Sequence, residues 1–415
     1  MSGIQAPRGT FDLLPEVSAD YLRIEELAGR ILGRAGYRRI DTPIFESTDL
    51  FERGVGASTD IVGKEMYSFD DGGGRSMTLR PEGTAPICRS YIEHGMHKLQ
   101  QPVRLWYSGP FFRHENPQAG RFRQFRQVGA EALGSDSPLL DAESILLLAE
   151  LLEAAGVGGT TLRVSSLGSP ERRAAYRDQL ISFLRSKSSE LSAEVVARID
   201  SNPLRAFDSS DPSTIRVMEA APRLLDSLDS EDRDHFDTVC GLLDGAGLSY
   251  EVDTSLVRGL DYYTRTVFEF TSTELGAQSG VGGGGRYDRL VAMLGGQETA
   301  GIGWAAGVER ILLASVESSR ESTAVDILVV PSDDSSRPAA LQIVTAARAA
   351  GLSARLEVTG RSTKASFKHA AKIGAQRVAI VEGSTASISD QGASNPTAEL
   401  SVDQLIESFG QELAS

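Results

Sequence analysis

The chain has 415 residues, with 42 lysines and arginines against 57 aspartates and glutamates, and a formal net charge of −15. Its length predicts two or three domains, and a composition of 40% hydrophobic and 24% charged residues is typical of a globular protein with a sizeable core. The excess of acidic residues argues against nucleic-acid binding except through a local basic patch. The apolar runs are too short for a membrane span. The two cysteines lie far apart in the sequence, which argues against a disulfide framework and favours the reducing cytoplasm.

Helical and strand-like periodicities alternate along the first three hundred residues. Apolar residues at helical spacing predict helices over 16–36 and 138–155. A charged stretch without strand patterning, at about 170–225, predicts a helical insertion in a larger domain. Strands are predicted over 37–45, 249–253, 264–271 and 286–290. Pro43 indicates that the first of these strands lies at a sheet edge.

The pattern changes after a polar linker at 315–324. Strands are predicted over 325–331, 353–358 and 377–382, separated by helices over 338–350 and 364–374. Strand–helix alternation of this kind indicates a small α/β domain with a mostly parallel sheet.

The most informative run spans residues 104–131 and predicts two strands joined by a loop. Period-2 alternation in the second strand predicts one face that carries Arg121, Arg123, Phe125, Gln127 and Glu131. Arg113 shares a face of the first strand with Phe111 and Tyr107. Cations suit phosphates, an aromatic ring suits a nucleobase, and a carboxylate with an amide suits an amine or a ring N–H. On periodicity alone, a nucleotide site and a solvated face of mixed charge both remain open.

Several segments, in order, resemble those of the histidyl-tRNA synthetase family of class II aminoacyl-tRNA synthetases. FFRHE at 111–115 with GRFRQF at 120–125 resembles motif 2, and GIGWAAGVER at 301–310 resembles motif 3. LRPEGT at 79–84 and LVRGLDYY at 256–263 are similar to histidyl signatures. The helix and strand that end at Pro43 fit motif 1, which in the family builds the dimer interface. The resemblance covers nearly the whole chain.

The resemblance implies a fold, a domain order and an activity. The implied fold class is α+β: an antiparallel-sheet catalytic domain with flanking helices over 1–320, interrupted by the helical insertion, and a C-terminal α/β anticodon-binding-like domain over 325–415. The implied activity is ATP-dependent conversion of L-histidine to histidyl-adenylate with Mg²⁺, followed by transfer to the 3′ end of tRNA(His). A cytoplasmic homodimer without a membrane segment is expected.

The family's site residues map onto matching positions of this sequence. Arg258 is the expected catalytic residue, and Arg113 is expected at the α-phosphate of ATP. Phe125 is expected to stack on adenine, with Arg121 and Arg310 near the outer phosphates. The residues expected to bind histidine are Glu82, Gly83, Thr84, Gln127, Glu131, Tyr262 and Tyr263. The five histidines show no ligand spacing, so no protein-bound metal is predicted.

Two positions depart from the family pattern. Gly282 and Gly283 stand where the family's glycine-rich signature often has cysteine and alanine, and Asn116 stands where motif 2 commonly has arginine. The first departure bears on the shape of the amino-acid pocket, because glycine leaves more room and backbone freedom. The second bears on contacts with the tRNA acceptor stem. The surrounding run 280–285 lacks the GK[ST] ending of a phosphate-binding loop.

A local basic stretch lies in the C-terminal domain. Lys364, Lys368 and Lys372 recur every four residues and would line one helix face, close in sequence to Arg361. These four residues, and Gln118 in the motif 2 loop, are the candidate tRNA contacts. The alternative function is that of the family's regulatory paralogue, which senses histidine for an ATP-phosphoribosyltransferase complex. Such paralogues lack the anticodon-binding domain and usually degrade the LVRGLDYY block, whereas this chain keeps both.

Overall fold

The computed structural model describes residues 4–56, 59, 61–200, 203–209, 211–256, 261–276, 279–316, 325–393 and 396–412. The chain divides into two units, Met1–Ser318 and Ser319–Ser415, and each has its own hydrophobic core. In the parts of the chain just given, no helix is both long and apolar enough to cross a membrane.

The first unit combines helices with two sheets. Its helices are α1 Pro15–Arg34, α2 Thr48–Val55, α3 Thr84–Glu93, α4 Pro138–Ala154, α5 Pro170–Ser186, α6 Ala193–Val196, α7 Pro212–Glu219, α8 Ser230–Gly245, α9 Leu290–Met293 and α10 Val308–Ala314. Its strands are β1 Arg38–Arg39, β2 Phe45–Ser47, β3 Tyr67–Asp70, β4 Ser76–Leu79, β5 Val103–Phe112, β6 Gln124–Leu133, β7 Thr160–Ser166, β8 Glu251–Val252, β9 Thr264–Ser272, β10 Gly280–Arg286 and β11 Gly301–Gly307.

The large sheet has the strand order β1-β5-β6-β11-β10-β9-β7-β8. Its pairings are antiparallel except at the two edges, where β1 pairs with β5 and β7 with β8 in parallel. Strands β2, β4 and β3 form a separate antiparallel sheet. The predicted antiparallel sheet with flanking helices is therefore present.

Helices α1 and α4 cover one face of the large sheet, and both confirm the helices predicted there. The buried residues of α1 recur at the three- and four-residue spacing of one helical face, and they pack with Trp106 and Trp304 of the sheet. The opposite face carries a second core that includes Tyr107, Phe111 and Tyr263. The candidate site lies on this second face.

Two of the predicted strands are wrong. Only Arg38–Arg39 and Phe45–Ser47 of the stretch 37–45 are strands, because Pro43 between them lacks the N–H that a ladder needs and the Arg80 guanidinium binds the Thr42 carbonyl oxygen at 3.0 Å. In the stretch 286–290, Arg286 is the last residue of β10 and Leu290 already begins α9.

The second unit has a five-stranded sheet with helices. Its elements are β12 Val325–Pro331, α11 Arg337–Ala349, β13 Ala354–Leu356, α12 Thr363–Lys372, β14 Ala375–Glu382, β15 Thr385–Asp390, β16 Ala398–Ser401 and α13 Val402–Glu412. The strand order is β13-β12-β14-β15-β16. The expected parallel pairing holds for β13, β12 and β14, whereas β15 and β16 add two antiparallel pairings that the sequence pattern did not predict.

Candidate functional site

A cleft opens on the second face of the large sheet, over β6, β10 and β11. Its lining combines arginines, glutamates, phenylalanines and a row of glycines: Arg113, Glu115, Gly120, Arg121, Phe122, Phe125, Gln127, Glu269, Gly280, Val281, Gly282, Gly283, Ala305, Gly307, Glu309 and Arg310. Every residue expected to bind ATP is among them. The face is a walled cleft and not a flat solvated surface, so the nucleotide-site interpretation of the sequence pattern is favoured.

Arg113 lies directly after the end of β5 and is held in place at the cleft wall. Its Nε donates to the Pro81 carbonyl oxygen at 2.9 Å, and its guanidinium carbon lies 5.4 Å from the centroid of the Phe125 ring. The nearest carboxylate, that of Glu115, is 4.0 Å away. The Nη groups are thus directed by the Nε hydrogen bond while the charge is only weakly paired, which suits an anionic ligand.

Arg121 and Arg310 bring two further cations to the same cleft. Arg121 contacts the Glu115 carboxylate at 3.3 Å, and Arg310 donates from Nε to the Gly280 carbonyl oxygen at 2.8 Å. Burial and the neighbouring charge of Arg121 lower the pKa of Arg310. Because like charges that have been brought together repel, a bound anion would stabilise this arrangement.

The glycine-rich run forms the floor of the cleft as a strand and not as a phosphate loop. β10 pairs along its length with β9 and β11. A Cβ at Gly284 would lie 1.9 Å from the Gly303 carbonyl oxygen. A Cβ at Gly282 would lie 2.7 Å from the Cβ atom of Ala306. A side chain at position 282 therefore needs its neighbours to shift, so the glycine found here fits the local packing of this chain.

Behind the cleft, buried polar side chains surround the carboxylate of Glu131; this group, made of Glu82, Thr84, Glu131 and Tyr287, is called the Glu131 cluster. One oxygen accepts from the Tyr287 hydroxyl at 2.6 Å and the other from the Thr84 hydroxyl at 2.8 Å. Burial raises the pKa of Glu131 to about 8, against the opposing effect of these two hydrogen bonds. Near neutral pH, the Glu131 carboxyl is therefore either protonated or hydrogen-bonded to a ligand that donates to it.

Glu82 connects the Glu131 cluster to the start of α3. Its two carboxylate oxygens accept from the backbone N–H groups of Thr84 and Ala85 at 2.7 and 2.9 Å. These are unpaired donors of the first helical turn, so the carboxylate stabilises the helix terminus. Burial raises its pKa all the same. Gly83 fits between these groups because a Cβ there would lie 2.6 Å from the Tyr107 ring.

Three buried tyrosines lie together beside the Glu131 cluster. The ring centroids of Tyr262 and Tyr263 are 4.8 Å apart, and those of Tyr262 and Tyr287 are 5.9 Å apart. Tyr287 was not among the residues predicted from the sequence. Its contact with Glu131 joins positions 156 residues apart, and the only local signal was its place directly after the glycine run.

Two buried polar atoms on this face have no hydrogen-bond partner among the residues that the structure describes. They are the Gln127 Oε1 and the Tyr107 Oη. Leaving a buried donor or acceptor unpaired costs about 1–3 kcal/mol, so such atoms in a concave site indicate a place for a polar ligand.

The remaining predicted site residues lie elsewhere. Arg258 falls on residues 257–260, outside those described. Gln118 is exposed in the β5–β6 loop, where its backbone pairs with that of Arg121 at 3.1 and 2.9 Å. Arg123 does not line the cleft, because β6 begins only at Gln124 and the Arg123 side chain turns to the Glu115 carbonyl oxygen at 3.3 Å.

In the second unit, the three lysines lie exposed on the confirmed helix α12. Arg361 is paired at 2.5 Å with the Glu357 carboxylate, so its charge is largely offset. The unpaired basic surface is therefore narrower than the sequence stretch alone indicated. Among the described residues, no group of three or more His, Cys, Asp or Glu side chains could hold a metal ion.

Comparisons with known proteins identify the family of the chain. A family model described as Histidyl-tRNA synthetase matches residues 9–311. A protein of Synechococcus sp. (strain JA-3-3Ab) named Histidine--tRNA ligase is 47% identical over 377 residues, 90% of this chain and 90% of that protein. A Corynebacterium jeikeium (strain K411) protein of the same name is 46% identical over 399 residues, 94% of this chain and 89% of that protein. The solved structure of the apo histidyl-tRNA synthetase of S. aureus matches with a TM-score of 0.81 at 33% identity, covering 98% of this chain and all of that one.

The large antiparallel sheet with flanking helices, together with these matches, defines the class II aminoacyl-tRNA synthetase fold and confirms the fold class that the resemblance implied. Within that class, the chain belongs to the histidyl-tRNA synthetase family.

Proposed function

We propose that the chain is a histidine–tRNA ligase. In the first step, a carboxylate oxygen of histidine attacks the α-phosphorus of ATP; a new P–O bond forms, the bond to pyrophosphate breaks, and histidyl-adenylate results. In the second step, a ribose hydroxyl at the 3′ end of tRNA(His) takes the histidyl group and AMP leaves. Family membership over residues 9–311 and the name shared by relatives that cover about nine tenths of the chain support this activity.

One observation carries the proposal: a cationic, aromatic cleft and a buried carboxylate lie along one strand. Phe125 and Gln127 line the cleft, and Glu131, four residues further along β6, is the centre of the buried Glu131 cluster. A nucleotide in the cleft and a small cation or N–H-bearing ring bound at Glu131 would therefore lie next to each other, which is the arrangement that condensation of the two requires.

In the cleft, Arg113 is the proposed contact to the α-phosphate. A guanidinium already fixed by the Pro81 carbonyl stabilises the charge that grows on the phosphate oxygens without reorganising during the reaction. Phe125 is the proposed stacking surface for adenine, and Arg121 and Arg310 are proposed to bind the outer phosphates.

At the Glu131 cluster, Glu131 and Tyr263 are the proposed contacts at the two ends of the imidazole, with Tyr262 beside them. Glu82, Gly83, Thr84 and Gln127 are proposed to surround the α-amino group. The Gln127 Oε1 is buried and has no partner in the described part of the chain, which supports an ammonium ligand there because an amide oxygen is an acceptor only.

Mg²⁺ is proposed to enter with ATP. Glu115 and Glu269 line the same cleft as the arginines. One or two carboxylates together with substrate phosphates are the ligands that Mg²⁺ prefers, so the residues present fit this ion. Bound there, it would offset phosphate charge.

The catalytic role of Arg258 is a proposal that rests on the LVRGLDYY block. Of that block, Tyr262 and Tyr263 are buried, and the charges of Glu82 and Glu131 help to raise the pKa of Tyr262, which supports the proposal. An arginine four residues before Tyr262 would add a further positive charge to stabilise the adenylate-forming step.

The tRNA half of the function is assigned to the second unit and the motif 2 loop. We assign 1–320 to the catalytic domain, with its helical insertion at about 170–225, and 325–415 to an anticodon-binding domain; the boundary between Ser318 and Ser319 supports the division. Lys364, Lys368, Lys372 and Arg361 are the proposed basic contacts, together with Gln118. The helices that follow α5 continue to Gly245, beyond the assigned insertion.

A homodimer in the cytoplasm completes the proposal. Ile44, Phe45 and Phe69 are large apolar residues exposed at the small sheet, with the two phenylalanine rings 6.2 Å apart. A grouped apolar surface of this kind suits a protein interface. Cys88 and Cys240 are free thiols, which suits a reducing compartment.

The regulatory paralogue is not favoured as an alternative. Relatives at 46–47% identity across about nine tenths of the chain are named ligases. The wild-type protein is expected to catalyse exchange of labelled pyrophosphate into ATP only when histidine is present, because formation of the adenylate is reversible. Saturable histidine binding without any exchange would contradict the proposed function and favour the sensor.

A further inference from the structure

Tyr107 is a buried residue of β5 that is not among the site residues implied by the family resemblance. It lies opposite Gly129 in the β5–β6 ladder, and its side chain is 5% exposed. Gly129 comes between Gln127 and Glu131 on the same face of β6, so the tyrosine ring fills the space that a side chain at position 129 would occupy.

The tip of the ring is held between two backbone segments. A Cβ at Gly129 would lie 2.4 Å from the Tyr107 Oη, and a Cβ at Gly83 would lie 2.8 Å from the same atom. Gly83 is flanked in sequence by Glu82 and Thr84, so the hydroxyl lies where the segments carrying the proposed histidine contacts meet. Glycines at both positions are what allow the hydroxyl to reach this point.

The hydroxyl has no hydrogen-bond partner among the residues that the structure describes, although its atom is fully buried. Its surroundings are acidic: burial together with the charges of Glu131 and Glu82 raises the pKa of Tyr107. The neighbouring cation Arg80 is engaged elsewhere, because it donates to the carbonyl oxygens of Pro110 and Thr42. The hydroxyl therefore keeps its proton, and its oxygen can still accept a hydrogen bond from a cationic donor, which the neighbouring carboxylates would attract.

We propose that the Tyr107 Oη accepts a hydrogen bond from the α-ammonium group of bound histidine, beside the Gln127 Oε1. An ammonium group has three donors, and these two acceptors lie on this face without a partner among the described residues. Tyr107 thereby distinguishes a free amino acid from an imidazole compound that lacks the amine. The inference rests on the proposed function, which supplies histidine as the ligand.

The test compares Tyr107→Phe with the wild-type protein by isothermal titration calorimetry against three ligands without ATP. Histidine and histidinol both carry the ammonium group, whereas imidazole-4-propionate keeps the ring and carboxylate but lacks the amine. Loss of a hydrogen bond to a charged group predicts roughly 10- to 100-fold weaker binding of histidine and histidinol, and unchanged binding of imidazole-4-propionate. Tyr37→Phe is the control, because it removes the hydroxyl of a buried tyrosine in the core on the other sheet face. This variant is expected to bind all three ligands with wild-type affinity.

Other outcomes overturn the assignment. Equal weakening for all three ligands places the hydroxyl at the imidazole, and wild-type affinities for all three mean that a water or nothing at all satisfies it. If the wild-type protein does not bind histidine, the proposed function fails and the assignment of Tyr107 fails with it, whereas wild-type binding that Tyr107→Phe leaves unchanged overturns the assignment alone.

Discussion

Replacing Arg113 by alanine is expected to lower histidine-dependent pyrophosphate exchange by about 10²- to 10³-fold in kcat/KM, the usual effect of removing one fixed donor from a site where charge develops. The guanidinium is directed by its Nε hydrogen bond to Pro81, and its charge is only weakly paired at 4.0 Å from Glu115. The variant should fold normally, because the side chain lies at the cleft wall and not in a core.

Two further variants sharpen the Arg113 result. Arg113→Lys keeps the charge but loses the planar donor that binds Pro81, so most of the loss should persist. Arg104→Ala is the matched control: Arg104 is also an arginine of similar exposure near an end of β5, paired with Glu143 at 2.9 Å outside the cleft. Arg104→Ala is expected to exchange pyrophosphate like the wild-type protein. If Arg113→Ala exchanges pyrophosphate at the same rate as Arg104→Ala, the α-phosphate role of Arg113 is contradicted.

Replacing Asp141 by alanine is expected to lower the free energy of unfolding of the first unit by about 3–5 kcal/mol, the cost of leaving a buried charge without its partner. Asp141 of α4 and Arg286 of β10 are both fully buried, and the two side chains are in contact at 2.5 Å. His235 of α8 binds the same carboxylate at 2.8 Å. Although burial opposes ionisation, the hydrogen bond from His235 and the charge of Arg286 lower the pKa of Asp141.

The unfolding of this unit can be followed selectively. The chain has two tryptophans, Trp106 and Trp304, and both lie in the first unit, so urea titration with tryptophan fluorescence reports that unit. Glu171→Ala is the matched control, because it breaks the exposed pair between Glu171 and Arg289 close to the same region. We expect no measurable change there. If Asp141→Ala and Glu171→Ala unfold at the same urea concentration, a stabilising role for the buried Asp141–Arg286 pair is contradicted.

The sequence predicted those elements whose pattern is local. Helices α1 and α4 follow from apolar residues at helical spacing, and α4 also begins with Ser137 as a cap and Pro138 in its first turn. β10 could not be predicted in this way, because glycine has no strand preference and the strand exists through its pairing with β9 and β11. The prediction of a strand at 286–290 was displaced for the same reason.

The candidate site was predictable as a set of residues but not as a geometry. Alternation along β6 correctly grouped Phe125, Gln127 and Glu131, yet it failed at Arg123, which precedes the first residue of the strand. Tyr287 reaches Glu131 only through the tertiary fold. The hydroxyl of Tyr107 becomes informative only when its burial and its lack of a partner among the described residues are known.

The electrostatic tension in the sequence also has a structural aspect. The net charge of −15 opposes tRNA binding. In the basic stretch near α12, the charge of Arg361 is offset by Glu357, so the positive charge comes chiefly from Lys364, Lys368 and Lys372. A narrow patch of this kind gives few phosphate contacts, so tRNA affinity should depend less steeply on salt than in proteins with broad basic surfaces.

Aminoacylation of total tRNA with each of the twenty amino acids in turn tests the central claim most directly, since it examines the substrate, the activation step and the transfer together. The proposed function predicts alkali-labile, acid-stable charging with histidine alone, dependent on ATP and Mg²⁺, on a single class of tRNA. Charging with a different amino acid, or no charging with any of them by a folded protein that binds histidine, would contradict it.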